Sequence, residues 1–261
     1  MSREEAPAAT FRQRTGWGHS VEESISGIAF RESGSPGADM IQIRHKSTGA
    51  VLLALEAESL AGAKLTGAKL QGASLQGQDL RGAYISNADL READLRGADL
   101  TNANMNGTAL DFANAAHSKF SGADLTDCTL AGADFTEADM QGVNLRYAKL
   151  EGANLTGANL AKSDLSMTNL RANLSAANLE GADLRAADLT SANLMNANLQ
   201  DANLKSANLN CAIMTRARTG QPAAKSAGAG ARGPAATTAT ATAGRKKVPA
   251  KPSKPWWQFW G

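Results

Sequence analysis

Carboxylates recur along this chain on a five-residue beat: Asp79, Asp89, Asp94, Asp99, Asp124, Asp134 and Asp139 each stand directly before a large apolar residue. Paired acids are the raw material of general acid–base work. Here, however, any two that meet do so because the period repeats, and no second chemical type accompanies them. The three histidines, His19, His45 and His117, are scattered, and neither they nor Cys128 and Cys211 form a cluster with zinc spacing. The glycines follow the same beat as the acids and form no phosphate-binding motif. These residues predict no catalytic, cofactor-binding or metal site, and the chain is not expected to be an enzyme. A different chemistry, adhesion, is concentrated in Trp256, Trp257, Phe259 and Trp260, which follow a strongly basic stretch.

Whatever carries the beat must position the acids. Large apolar centres run from Leu60 to Leu170 in steps of five and from Leu174 to Met214 in the same step, 32 in all, of which 25 are Leu. On a helix turning about 100° per residue, every fifth side chain swings about 140° around the axis, so no apolar stripe forms. On an extended strand an odd step sends successive leucines to opposite faces. The chain must therefore turn once per five residues. If it always turns the same way, every centre points to a common axis and stacked coils hydrogen-bond along it, which is a β-solenoid. Two places before each centre, 24 of the 32 residues are Ala, so the axis alternates large and small. Gly or another small residue after the centre pair suits a tight corner.

The pattern small, Asp/Asn, Leu/Phe, polar, Gly, as in Ala98-Asp99-Leu100-Thr101-Asn102 and Ala123-Asp124-Leu125-Thr126-Asp127, resembles the pentapeptide-repeat family. The resemblance implies an all-β fold, a right-handed quadrilateral β-helix with four repeats per coil and about eight coils. At a strand spacing of ~4.8 Å such a rod is roughly 38 Å long. Residues 20 apart then stack in columns, one being Asp79, Asp99, Lys119 and Asp139, continued by Asn159, Asn178 and Asn198. Stacked Asn side chains can hydrogen-bond along the axis. The four-residue step from Leu170 to Leu174 makes Ala172 serve two repeats and reads as a deletion that tightens one corner.

The flanks divide the rest: a polar arm over 1–24, a β-hairpin N-cap over 25–57, the repeats over 58–216, a low-complexity basic linker over 217–254 and an aromatic motif over 255–261. Within the cap, Ile25–Arg31, Met40–Lys46 and Ala50–Leu55 read as strands, the last two joined by Ser47-Thr48-Gly49. A cap is expected because the first coil would otherwise expose axial leucines and a strand edge. The formal charge of +2 hides an asymmetry: residues 60–210 carry 12 basic and 17 acidic groups, whereas 211–261 carry 9 basic and none acidic. The linker, made of Ala, Gly, Thr, Pro and Lys, buries too little to fold alone. No apolar leader or membrane-spanning run is visible, so the expected location is cytoplasmic, with the tail available for peripheral contact at the inner face of an anionic membrane.

Three occupants suit Trp256, Trp257, Phe259 and Trp260: an anionic membrane surface, a pocket in a protein partner, or the open end of the rod itself. Direct nucleic-acid binding by the linker is not favoured, since it has no folded reader. On the rod, Tyr147 and Met167 are 20 apart at outward corners and form a candidate surface contact, while Phe112 and Tyr84 lie elsewhere. Some pentapeptide-repeat proteins act on DNA topoisomerases as mimics of duplex DNA, and the resemblance brings that role as an alternative. Arg81, Arg91 and Arg96 beside Asp79, Asp89 and Asp94 weaken the acidity it needs. The sequence is thus read as a non-catalytic scaffold or protein-interaction module, with its tail as a tether to an unidentified protein partner or a membrane.

Overall fold

The computed structural model describes residues 40–220. The polar arm, the strand expected over Ile25–Arg31, most of the linker and the aromatic motif lie outside the described residues.

The repeats wind into a β-helix, and no helix occurs among the described residues. Parallel bridges join Lys64 to Tyr84, Tyr84 to Asn104 and Asn104 to Asp124, and the same step of four repeats runs along every face. Three bonds per repeat tie neighbouring coils, one of them from the corner amide, as Gly122 to the Gln141 carbonyl at 3.0 Å. The amide of each centre donates forward, as Leu125 to the Asn144 carbonyl at 2.8 Å, and the residue before it donates back, as Asp124 to the Ala103 carbonyl at 3.0 Å. The partners lie in adjacent coils, so these amides are satisfied only by neighbouring coils.

Every regular corner is a four-residue turn. The Ala68 amide returns to the Leu65 carbonyl at 3.0 Å, and Gly67 between them has φ of +68°. A positive φ at the third residue is the mark of a type II turn, which favours glycine there. The expectation of small corner residues holds only in part: the positive φ recurs at 18 non-glycine residues, among them Glu92, Phe112, Tyr147, Lys162, Met167 and Arg216. A Cβ in this region costs on the order of 1 kcal/mol. The cost is tolerated because the corner side chain points outward while bonds to the coils on either side hold its backbone.

Inside, the centres from Leu60 to Leu199 are buried, and between them sit the small residues that let the coils close. Phe120 and Phe135 meet edge to face, with ring centroids 5.6 Å apart. Polar residues in the small slots return their hydroxyls to the backbone: Thr108 donates to the Ile85 carbonyl at 2.8 Å and Ser163 to the Leu160 carbonyl at 2.6 Å. The Asp/Asn preference also has a local cause. The Asp124 carboxylate accepts the Thr126 amide at 3.1 Å, and equivalent bonds reach from Asp134, Asn144, Asn154 and Asn193 to the residue two places on. This is an Asx turn that pre-bends each corner.

At the irregular step the corner shortens to a three-residue turn, with the Ala172 amide donating to the Leu170 carbonyl at 2.8 Å. Pairing survives on both sides, since Lys149 bridges Asn169 and Asn154 bridges Asn173. The lost residue is absorbed inside one corner.

At the N-terminal end, β1 (Met40–His45) and β2 (Val51–Glu56) form an antiparallel hairpin. Its turn is held by the His45 Nδ1 atom, which accepts the Ser47 and Thr48 amides at 3.2 and 3.3 Å. β1 also pairs with β3 (Ala73–Ser74) in the first coil, and Ile43 and Leu53 join the same apolar cluster as Leu60 and Leu75. At the other end, β4 (Asn198–Leu199) and β5 (Arg218–Thr219) pair in parallel as the last described rung.

Candidate functional site

Tyr147 and Met167 occupy successive corners of one column, each with φ of 60°. They are 45% and 52% exposed, and the Met167 amide is held by the Arg185 carbonyl of the next coil at 2.9 Å. The Arg146 guanidinium lies over the Tyr147 ring at 5.2 Å from its centroid and donates to the phenol oxygen at 3.3 Å. Such stacking keeps the ring upright while leaving its far face free.

Arg146 differs from most arginines of the rod. Arg81, Arg91, Arg96 and Arg185 each follow an Asp by two residues and clamp it with contacts of 2.6 to 2.7 Å. Arg146 follows Asn144, which has no charge to hold it, and its Nε lies 3.8 Å from the Asp164 carboxylate. That Nε is buried and has no hydrogen-bond partner among the described residues. Arg171, which follows Asn169, likewise reaches outward to Glu151 at 3.4 Å.

The clamps dictate what the acids can do. The Arg81 guanidinium holds the Asp79 carboxyl at about 2. Hydrogen bonds from Arg91, Arg96 and Arg185 lower Asp89, Asp94 and Asp183 in the same way, and the Thr190 hydroxyl lowers Asp188. General acid–base work near neutrality needs carboxyls moved upward; these move downward and stay ionised. Burial pushes the Cys128 thiol up to about 12, the opposite of an activated nucleophile. Among the described residues, no group of His, Cys, Asp or Glu is placed to hold a metal ion, and no helix is long and apolar enough to cross a membrane.

Columns of Asn form ladders along the axis. Asn159 donates to Asp139 at 3.0 Å, Asn178 to Asn159 at 3.1 Å and Asn198 to Asn178 at 3.0 Å. A second ladder runs from Asn193 through Asn173 and Asn154 to Asp134. These side chains are therefore committed to the fold.

Phe112, 68% exposed, lies against the next corner in its column, where a Cβ on Gly132 would come within 2.6 Å of its ring. Tyr84 sits in a different column, bridged to Lys64 and Asn104, so neither joins Tyr147 and Met167. Trp256, Trp257, Phe259 and Trp260 lie outside the described residues. The sequence reading missed Met195 and Ile213, which are 41% and 51% exposed near the C-terminal end. Their signal was positional: Ile213 stands where the pattern puts Asp or Asn, and Met195 where it puts a polar residue.

No curated protein matches the chain. Among solved structures it is similar to HetL, a pentapeptide-repeat protein involved in heterocyst differentiation regulation from the cyanobacterium Nostoc sp. strain PCC 7120, at 30% identity over 60% of this chain and 89% of that one, with a TM-score of 0.36. A trypsin-treated form of QnrB1, a plasmid-mediated fluoroquinolone resistance protein, is 21% identical over 60% of this chain and 88% of its own, with a TM-score of 0.38. Rfr23 from the cyanobacterium Cyanothece 51142 is 36% identical over 37% of this chain and 59% of its own, with a TM-score of 0.19. The family model described as pentapeptide repeats matches in eight copies over residues 59–97, 79–111, 110–146, 138–171 and 172–210. With its five-residue period, four-repeat coils and apolar axis, the chain belongs to the pentapeptide-repeat family.

Proposed function

We propose that this protein is a non-catalytic scaffold whose rod presents side chains in fixed register to a protein partner, while residues 217–261 act as a tether. The observation that carries the reading is the contrast around Arg146. Many of the rod's Asp and Asn side chains are consumed by clamps, Asx turns and ladders, whereas Arg146 has no Asp two residues before it and stacks instead on Tyr147, and Tyr147 and Met167 stand exposed in one column. Arg and Tyr are the residue types that carry most energy in protein interfaces. The hairpin acts as the N-terminal cap, so deleting residues 1–56 should fray the coil at Leu60–Leu75. Trp256, Trp257, Phe259 and Trp260, with the basic linker before them, attach the rod to a second protein or to the cytoplasmic face of an anionic membrane.

Affinity capture with the full chain, with Tyr147→Ser/Met167→Ser and with a chain ending at Gly220 tests this. The double variant should lose the partner while Phe112→Ser keeps it; equal capture by both refutes the contact. Flotation with vesicles containing anionic lipid should require the tail and weaken with salt. DNA mimicry comes second, because four Asp–Arg clamps mask charge that a mimic of a phosphate backbone needs.

A further inference from the structure

The two ends of the rod are unequal. At the N-terminal end the axial residues Leu60, Leu65, Leu70 and Leu75 are fully buried beneath the hairpin. At the C-terminal end Leu204 and Met214, with Ala207 and Ala212 between the centres, are only partly buried, and Ile213 and Met195 are exposed beside them. The backbone is open there as well. In the preceding coil the Leu194 amide donates to the Ile213 carbonyl at 2.8 Å, but Leu204, Leu209 and Met214 find no such acceptor among the described residues. Apolar surface and a strand edge together form a template for association, and natural proteins cover it.

We propose that the chain's own aromatic motif, Trp256, Trp257, Phe259 and Trp260, docks on this open end. The cover is attached at the place that needs it, since β5, the last described strand, ends at Thr219 and the motif follows in the same chain. A flexible coil of the linker's length would have a mean span of about 30 to 35 Å, enough to turn back onto the end face. Tethering at this length makes the motif's local concentration on the order of millimolar. The motif's composition matches the surface: four rings, each burying about 150 to 250 Å² when packed, face an apolar patch. Charge does not drive the contact. The last coil carries Lys205, Arg216 and Arg218 against Asp201, so it repels the basic linker weakly. Docking on the rod is therefore insensitive to salt or strengthened by it, whereas attachment to an anionic membrane weakens with salt. The inference deepens the tether reading, because a motif seated on the rod is withheld from any other surface.

The test uses the full chain carrying Trp17→Phe, so that all tryptophan emission comes from the tail. Its emission should be blue-shifted and less quenched by acrylamide than that of a synthetic peptide of residues 250–261, with little change up to high salt. Hydrogen exchange over Leu199–Met214 should be about tenfold slower than in a chain ending at Gly220, and adding the peptide should restore the protection. Ile213→Asp, on an exposed side chain that leaves the coil intact, should lower the protection in the full chain. Tail emission equal to that of the free peptide, with unchanged exchange after truncation, overturns the proposal. So does protection that rises with protein concentration together with a dimer by light scattering, which would make a second copy the occupant. Vesicle flotation at low salt stands apart: a chain that floats but shows no docking refutes this inference and leaves the tether intact.

Discussion

Some corner side chains, among them Asn87, Asn102 and Phe112, lean along the axis against a glycine of the next coil. Gly132 and Gly142 isolate the effect. Their φ values are +64° and +65°, so a Cβ suffers the same backbone strain at either. At Gly142 nothing lies within 4 Å of that Cβ, whereas at Gly132 it would come within 2.6 Å of the Phe112 ring. Gly142→Ala should cost about 0.5 to 1 kcal/mol, as left-handed strain of ~1 to 2 kcal/mol is partly offset by the lower entropy of the unfolded chain. Gly132→Ala must also push the ring off the corner. About a third of the ring is covered, and a third of ~200 Å² at ~25 cal/mol per Å² adds up to ~1.5 kcal/mol. In the Phe112→Ala background this extra cost should vanish, giving a coupling of about 1 to 1.5 kcal/mol in a double-mutant cycle. Urea unfolding, with hydrogen exchange at Phe112–Gly132 as a local monitor, measures both. Equal losses for the two glycines, or a loss at Gly132 that persists without Phe112, would refute the reasoning.

Leu125→Asp puts an unpaired carboxylate on the dry axis and should cost several kcal/mol, while Gln76→Ala on the surface should stay within about 0.5 kcal/mol. Thr126→Asp, an outward slot that alternation alone would read as silent, should fall between them in thermal melts, because the Thr126 hydroxyl and amide both bond to Asp124. The folded-state value of Asp79 lies at about 2, below its ordinary range. Its contribution to stability is therefore full above roughly pH 4 and lost as pH falls through the folded value. Carbon-13 titration of Asp79 in Arg81→Ala should show the carboxyl returning upward, and an unchanged value would refute the clamp. Iodoacetamide at neutral pH should modify exposed Cys211 and spare buried Cys128 until the rod unfolds, as mass spectrometry can follow.

The five-residue period was legible because it leaves only one way to hide every leucine. A centre such as Leu125 and a small neighbour such as Ala123 are assigned by spacing, and the deletion at Leu170 appears as one missing step. The hairpin showed equally well, within a residue at each end: Met40–Lys46 and Ala50–Leu55 were expected, and Met40–His45 and Val51–Glu56 are found. The exposed character of Tyr147 and Met167 followed from the same alternation. What the period could not show is how outward residues spend their bonds, since that depends on neighbours in the column and on side-chain reach. Arg81 and Arg146 occupy the same slot of the repeat, yet one is clamped by Asp79 while the other, after Asn144, rests on Tyr147. Nor does spacing reveal that bulky residues such as Phe112 accept a left-handed backbone, because bonds from adjacent coils, absent from any single repeat, hold the corner. The unequal ends are likewise a tertiary fact: Leu60 and Met214 are equivalent centres in sequence, and only packing decides that, among the described residues, one is fully buried and the other partly.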